Sequence, residues 1–132
     1  MDEKIVTAEE IIGVSKSRGF LAKQLYAIFT TPTNGLGPVM ENLPAHLDYQ
    51  EMLEKTAVMF AAGPNWTDDE QRWEGDGLVV VRAGSLAEAE AIAAKDPMHS
   101  SGARSYRVRP WLVNEGTMTL KLGFATGRFE LV

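Results

Sequence analysis

A chain of 132 residues, 45% hydrophobic and 23% charged, has the make-up of one soluble domain and leaves no room for a separate cofactor-binding domain. Its formal charge of −5 argues against binding nucleic acid, which requires a basic surface, and without cysteine it can form no disulfide, thiol nucleophile or thiolate metal site. The acidic start MDEKIVTAEE resembles neither a signal nor a transit peptide, and no apolar run approaches the roughly 20 residues that span a bilayer, so a cytoplasmic protein with no membrane contact is expected.

Residues 1–22 read as a helical extension. Thr7 and Glu10 have capping-box spacing, Glu9 and Glu10 favour a helix start, Lys16 and Arg18 favour its end, and Gly19 is a stop. Ile11, Ile12 and Val14 give this helix an apolar side to pack on the main domain or on a partner subunit. The main domain, residues 23–113, opens with KQLYAIFTT, a strand rich in aromatic and β-branched residues that runs into the breaker cluster PTNGLGP. A helix is predicted from Leu43 to Lys55, with Pro44 in its first turn, where a missing N–H costs nothing. That start places His46, one of only two histidines, in the first turn as well.

AVMFAAGPN reads as a short strand closed by Gly63 and Pro64, WTDDEQRWEGDG as a polar loop, and LVVVRAG (78–84) as a third strand whose continuous apolar run suits a central position. SLAEAEAIAAKD is a helix with a second capping box, Ser85 and Glu88, ended by Asp96 before Pro97. MHSSGA is a turn or a single helical turn. RSYRVRPWLV (104–113) is a fourth strand that alternates Tyr106, Val108 and Pro110 with Arg107, Arg109 and Trp111. The tail, residues 114–132, holds one or two short strands broken at Gly123 and Gly127.

Two successive strand–helix–strand units predict an α+β fold, the ferredoxin-like βαββαβ arrangement with a four-stranded antiparallel sheet. Two helices cover one face of that sheet and the other is bare. The simplest cover is a second copy, so a homodimer or a higher oligomer is expected.

Few residues suggest chemistry. TNGLGP lacks the lysine of a phosphate loop, the two histidines have no metal-ligand spacing, and GSL and HSSG are not nucleophile elbows. Nothing resembles a nucleotide or haem site, so no cofactor and no metal is expected. His46 remains. On a helical wheel it shares a direction with Gln50, Leu53 and Ala57, with Tyr49 close by, so it faces inward. At a helix start the positive end of the macrodipole disfavours imidazolium, which suits a general base. Asp96 is the acid that could orient such a base, and equally an N-cap for the turn at Pro97. His46 is equally an ordinary half-buried histidine. The residues alone leave contact between the two open.

LYAIFTTP, PAHLDYQEMLEKTAVMFAAGPN, GLVVVRAGSLAEAEAIAAKDPMHSSG and YRVRPW, in this order over roughly residues 24–113, resemble the YciI-like family. The resemblance implies a ferredoxin-like dimeric α/β barrel and an active-site pair, a helix histidine and the aspartate of a DP motif, which match His46 and Asp96. It also implies that the two lie close together. Relatives include a dehydrochlorinase of a chlorinated hydroxyhydroquinone, and the wider superfamily includes muconolactone isomerase, so proton transfer on a small oxygenated ring is the implied chemistry. The N-terminal helix and the tail lie outside the family core.

Two functions follow. In the first, a lyase or isomerase, His46 and Asp96 are catalytic, while Arg107 and Arg109 hold an anionic or phenolic small molecule and Ser100, Ser101 and Tyr106 donate to a developing oxyanion. Trp66, Trp73 and Trp111 could wall an aromatic pocket, or serve the core or a dimer seam. The bland counterparts are a solvated arginine face and a Ser-Ser-Gly turn. In the second, the chain is a non-catalytic ligand-binding or structural dimer. A cavity that reaches the imidazole discriminates between them.

Overall fold

The computed structural model describes residues 4–132. In chain order it contains α1 (Ala8–Ser17), β1 (Lys23–Pro32), α2 (Leu36–Lys55), β2 (Met59–Pro64), β3 (Gly77–Val81), α3 (Leu86–Ala94), α4 (Pro97–Ser100), β4 (Arg104–Val113), β5 (Leu120–Leu122) and β6 (Phe129–Leu131). They divide into two compact units, Gln24–Leu112 and the flanking segments up to Lys23 and from Val113.

The Gln24–Leu112 unit is the ferredoxin-like βαββαβ arrangement expected from the sequence, a four-stranded antiparallel sheet in the order β2-β3-β1-β4. β3 lies centrally, paired with β1 (Ile28 opposite Val79, Tyr26 opposite Val81) and with β2. Period-two alternation sends Tyr26 and Ile28 of β1 and Val79 and Val81 of β3 to one face, where they pack on Ala89 and Ala93 of α3. The alanines let α3 lie close to the sheet. Ser85 caps α3 by accepting from the Glu88 N–H, and Glu88 reaches back to the N–H of Gly84. A second apolar cluster, Val39, Met98 and Ala103 with Leu43 and Trp73, fastens α4 to α2. The opposite face carries Leu25 and Ala27 of β1 and Val80 of β3, all buried, beside Phe29 and Trp111, 46% and 44% exposed, so it is bare only in part and not, as the sequence suggested, throughout. The sheet of the single chain is open, with β2 and β4 at its edges, and is not closed into a barrel.

One helix boundary differs from the expectation. α2 begins at Leu36 rather than Leu43, so Pro44 and His46 lie in its interior. Gly35, at φ 68°, makes the turn into the helix, and Pro38 occupies the first turn, where N–H groups lack helical partners in any case. The residues that read as loop breakers are therefore the helix start. Pro44 removes one bond within the helix, and the helix runs through it. With His46 far from the helix end, the macrodipole argument for its ionisation does not apply.

In the flanking unit, Thr7 caps α1 by accepting from the Glu10 N–H. Gly19, at φ 77°, donates to Lys16 O while Phe20 donates to Ser15 O, the paired bonds of a Schellman stop. Asn114 donates to Ser15 Oγ at 2.8 Å and accepts from Ala22 N–H at 3.1 Å. β5 and β6 form a two-stranded hairpin. Among the described residues no helix is long and apolar enough to cross a membrane.

Candidate active site

Asp96 precedes Pro97, which steers it to extended backbone (φ −63°, ψ 127°) and makes it the N-cap of α4, with Oδ1 accepting from Met98 N–H at 2.9 Å. Because α4 packs on α2, the same carboxylate meets the middle of that helix. His46 Nδ1 lies 2.8 Å from Oδ1 and 2.9 Å from Oδ2, and Gln50 Nε2 donates to Oδ2 at 3.2 Å. The capping and pairing roles of Asp96 thus coexist, and the contact that sequence reasoning left open is made. Both residues are buried, His46 at 8% and Asp96 at 4% exposure. Burial by itself would raise the pKa of the Asp96 carboxyl. The His46 and Met98 hydrogen bonds, with the charges of His46 and His99, outweigh it and hold the carboxyl below its ordinary value.

With Nδ1–H donated to the carboxylate, His46 Nε2 has no hydrogen-bond partner among the described residues. The ring lines a cavity of about 550 Å³ between α2 and the sheet. Leu43, Leu47, Met59, Leu78 and Val79 supply much of its wall, with Trp66 and Trp73 from the loop between β2 and β3. Its polar lining includes Gln50, Thr30 and Arg104. Tyr49, one turn along α2, donates to Ile92 O at 2.7 Å, and burial followed by the Asp96 charge raises its pKa.

The second histidine is fully engaged. His99 Nδ1 lies 2.7 Å from Ala93 O, a carbonyl that can only accept, so Nδ1 carries the proton and Nε2 accepts from the Thr30 hydroxyl at 2.8 Å. Its ring lies 4.2 Å from that of Tyr106. Burial lowers the His99 pKa, more than Asp96 and the Ala93 bond raise it.

The residues singled out in the sequence are thereby divided. His46 and Asp96 meet. Ser100, Ser101, Tyr106, Arg107 and Arg109 are exposed and do not line the cavity. Ser101 Oγ accepts from Ala103 N–H at 3.2 Å within the turn after α4, and Tyr106 stacks on His99. Arg107 and Arg109 share the strand parity of Trp111 and point to the sheet face away from the helices. Trp66 and Trp73 line the cavity and Trp111 does not. Sequence reasoning missed Thr30, Gln50 as a polar contact, and Arg104. The signal for Arg104 was its register, since it shares parity with Val108, which packs into the core under α3. Among the described residues no group of three or more His, Asp or Glu side chains is placed to hold a metal.

The family profile described as "YCII-related domain" matches residues 24–112. A comparison with curated proteins found no match. Among solved structures, the chain is similar to 5-chloro-2-hydroxyhydroquinone dehydrochlorinase from Burkholderia phenoliruptrix AC1100 in complex with 2,5-dihydroxybenzoquinone. The TM-score is 0.53 at 25% identity, covering 66% of this chain and 92% of that one.

Proposed function

The chain belongs to the YCII-related family, and from that premise and the cavity geometry we propose a lyase or isomerase that moves a proton on a small oxygenated ring, with His46 as the base. One observation carries this reading. His46 is anchored through Nδ1 by a buried carboxylate while the same ring borders a cavity large enough for a ring compound. Unprotonated Nε2 takes a proton from a ring carbon or hydroxyl. Nδ1–H stays donated to Asp96, whose charge stabilises the imidazolium so formed. In an elimination from a ring tautomer whose chlorine-bearing carbon is tetrahedral, the electron pair freed by proton removal forms a double bond, to oxygen where the proton came from a hydroxyl, and the shifting pair expels chloride. In an isomerisation, the proton returns at a different ring atom. A base so placed contributes on the order of 10²–10⁴ in rate.

The similar enzyme named above acts, by its name, on a chlorinated hydroxyhydroquinone, which supports the lyase form of the reading. The test is turnover of 5-chloro-2-hydroxyhydroquinone, read as chloride release, and of muconolactone, read by absorbance. His46→Ala keeps the circular dichroism spectrum and loses turnover. Unchanged turnover removes His46 from the mechanism. We further propose that a second copy covers the sheet face bearing Phe29 and Trp111, and sedimentation equilibrium at micromolar concentration should then give twice the chain mass.

A further inference from the structure

Arg104 opens β4 on the helix-covered side of the sheet, lines the cavity, and is only 5% exposed. A guanidinium so deeply placed ordinarily meets a carboxylate. Among the described residues, the one acid–base pair within 4.0 Å is His46–Asp96, and Arg104 has no such partner. Of its five N–H donors, only Nε–H has a protein acceptor, Gly75 O at 2.7 Å.

The loop before β3 is built around that bond. Gly75 sits at φ 98°, and a Cβ there would lie 2.7 Å from Pro32 Cγ, so the position demands glycine. The Trp73 ring lies 5.9 Å from Arg104 Cζ, and the Trp73 Nε1–H holds Asp76 O at 2.8 Å. The loop thus fixes one edge of the guanidinium and leaves both Nη groups without a protein acceptor at the cavity wall. Asp76, Glu51 and Glu54 also border the cavity, and the charges of Asp96 and Asp76 act on the guanidinium from beyond 4.0 Å, but none is bonded to it, and Glu51 and Glu54 are exposed side chains of α2 screened by water.

Gln50 borders the same cavity, but its Oε1 is sealed from the open space. Gln50 donates Nε2–H to Asp96, and its buried Oε1 accepts from nothing in the protein. Among the described residues Gln50 Oε1 is the one sealed side-chain polar atom without a partner, so the Arg104 Nη groups retain exposure and can meet a guest. Arg104 calls for an anionic oxygen.

We propose that Arg104 is the residue that selects the substrate, and that the substrate class is a small planar ring carrying a carboxylate or ring oxyanion. This assignment rests on the cavity being the substrate site of the proposed proton-transfer reaction. It makes the anion the handle by which the ring is oriented, leaving the reacting atom to His46.

Titration calorimetry with matched probe pairs tests it. Benzoate against benzamide reads the carboxylate, and 4-nitrophenolate against 4-nitroanisole reads the ring oxyanion. Wild-type protein should prefer the anion in at least one pair by roughly tenfold or more, the scale of a charge-assisted hydrogen bond. Arg104→Met should abolish that preference while the neutral probe still binds, and Arg104→Lys should keep part of it. No preference in either pair for wild-type protein overturns the assignment, as does a preference that survives Arg104→Met. If Arg104→Met fails to fold, the wild-type pairs and Arg104→Lys decide. His46→Asn separates this inference from the catalytic reading, because it should retain the anion preference while turnover is lost. Retained turnover in His46→Asn sinks the catalytic reading alone.

Discussion

Both histidines lie within the electrostatic reach of Asp96, yet they are built for opposite ends. His46 gives one nitrogen to the carboxylate and keeps the other without a protein partner beside a cavity. His99 gives one nitrogen to a backbone carbonyl and the other to the Thr30 hydroxyl, and is closed off by Tyr106. Burial does not distinguish them, and neither does a nearby acid. A ring nitrogen left without a protein partner at a cavity wall distinguishes a base from a strut.

Breaking that contrast should have its largest effect at His46. His46→Ala lowers turnover by about 10²–10⁴, measured as initial rate at saturating probe, and, because it leaves the buried Asp96 carboxylate without its partner, also costs about 3–5 kcal/mol in urea unfolding. Next comes the platform that carries Asp96. Met98 is fully buried between α2 and α4, so Met98→Ala costs about 2–5 kcal/mol in denaturant unfolding and loosens the cap on which the dyad depends.

Asp96→Asn should cost roughly 1.5–3 kcal/mol at neutral pH, the range for hydrogen bonds to a charged group. The native carboxyl pKa is depressed, so its contribution is complete above the ordinary value of 3.8 and vanishes as pH falls through the lower native value. The gap between wild type and Asp96→Asn therefore narrows in acid, and urea midpoints measured at pH 7 and pH 3 check this. His99 gives the smallest effect. His99→Ala leaves the buried Thr30 hydroxyl unmatched and costs about 1–3 kcal/mol, with turnover nearly intact. The His99 pKa is also depressed, so wild-type stability drops as pH falls below 6.5, and His99→Gln should flatten that slope.

Much of the fold was written locally. Capping pairs at Thr7 and Ser85, the aromatic and β-branched composition of β1, alternation in β4 and the continuous apolar run of β3 each act within a few residues, so each was readable. The wheel through His46, Gln50 and Leu53 was right although the helix start was misplaced, because spacing along a helix is independent of where it begins. Gly35 and Pro38 misled because the same residues end helices and begin them. The His46–Asp96 contact joins positions 50 apart and depends on how α4 packs on α2, which no window of sequence contains; only the family resemblance pointed to it. Arg107 and Arg109 drew attention because they stand together, while Arg104, alone at the strand start, faces the cavity. Its parity with Val108 was the readable clue.

The contrast between the two rings can be read in one spectrum. Two-bond proton–nitrogen correlation NMR on histidine-labelled protein, at a pH where both rings are unprotonated, reports which nitrogen of each carries hydrogen. Both rings should be Nδ1–H tautomers, with His46 Nε2 alone shifting when benzoate or 2,5-dihydroxybenzoquinone is added. An Nε2–H tautomer at His46, or a His46 signal indifferent to both compounds while His99 responds, would contradict that assignment.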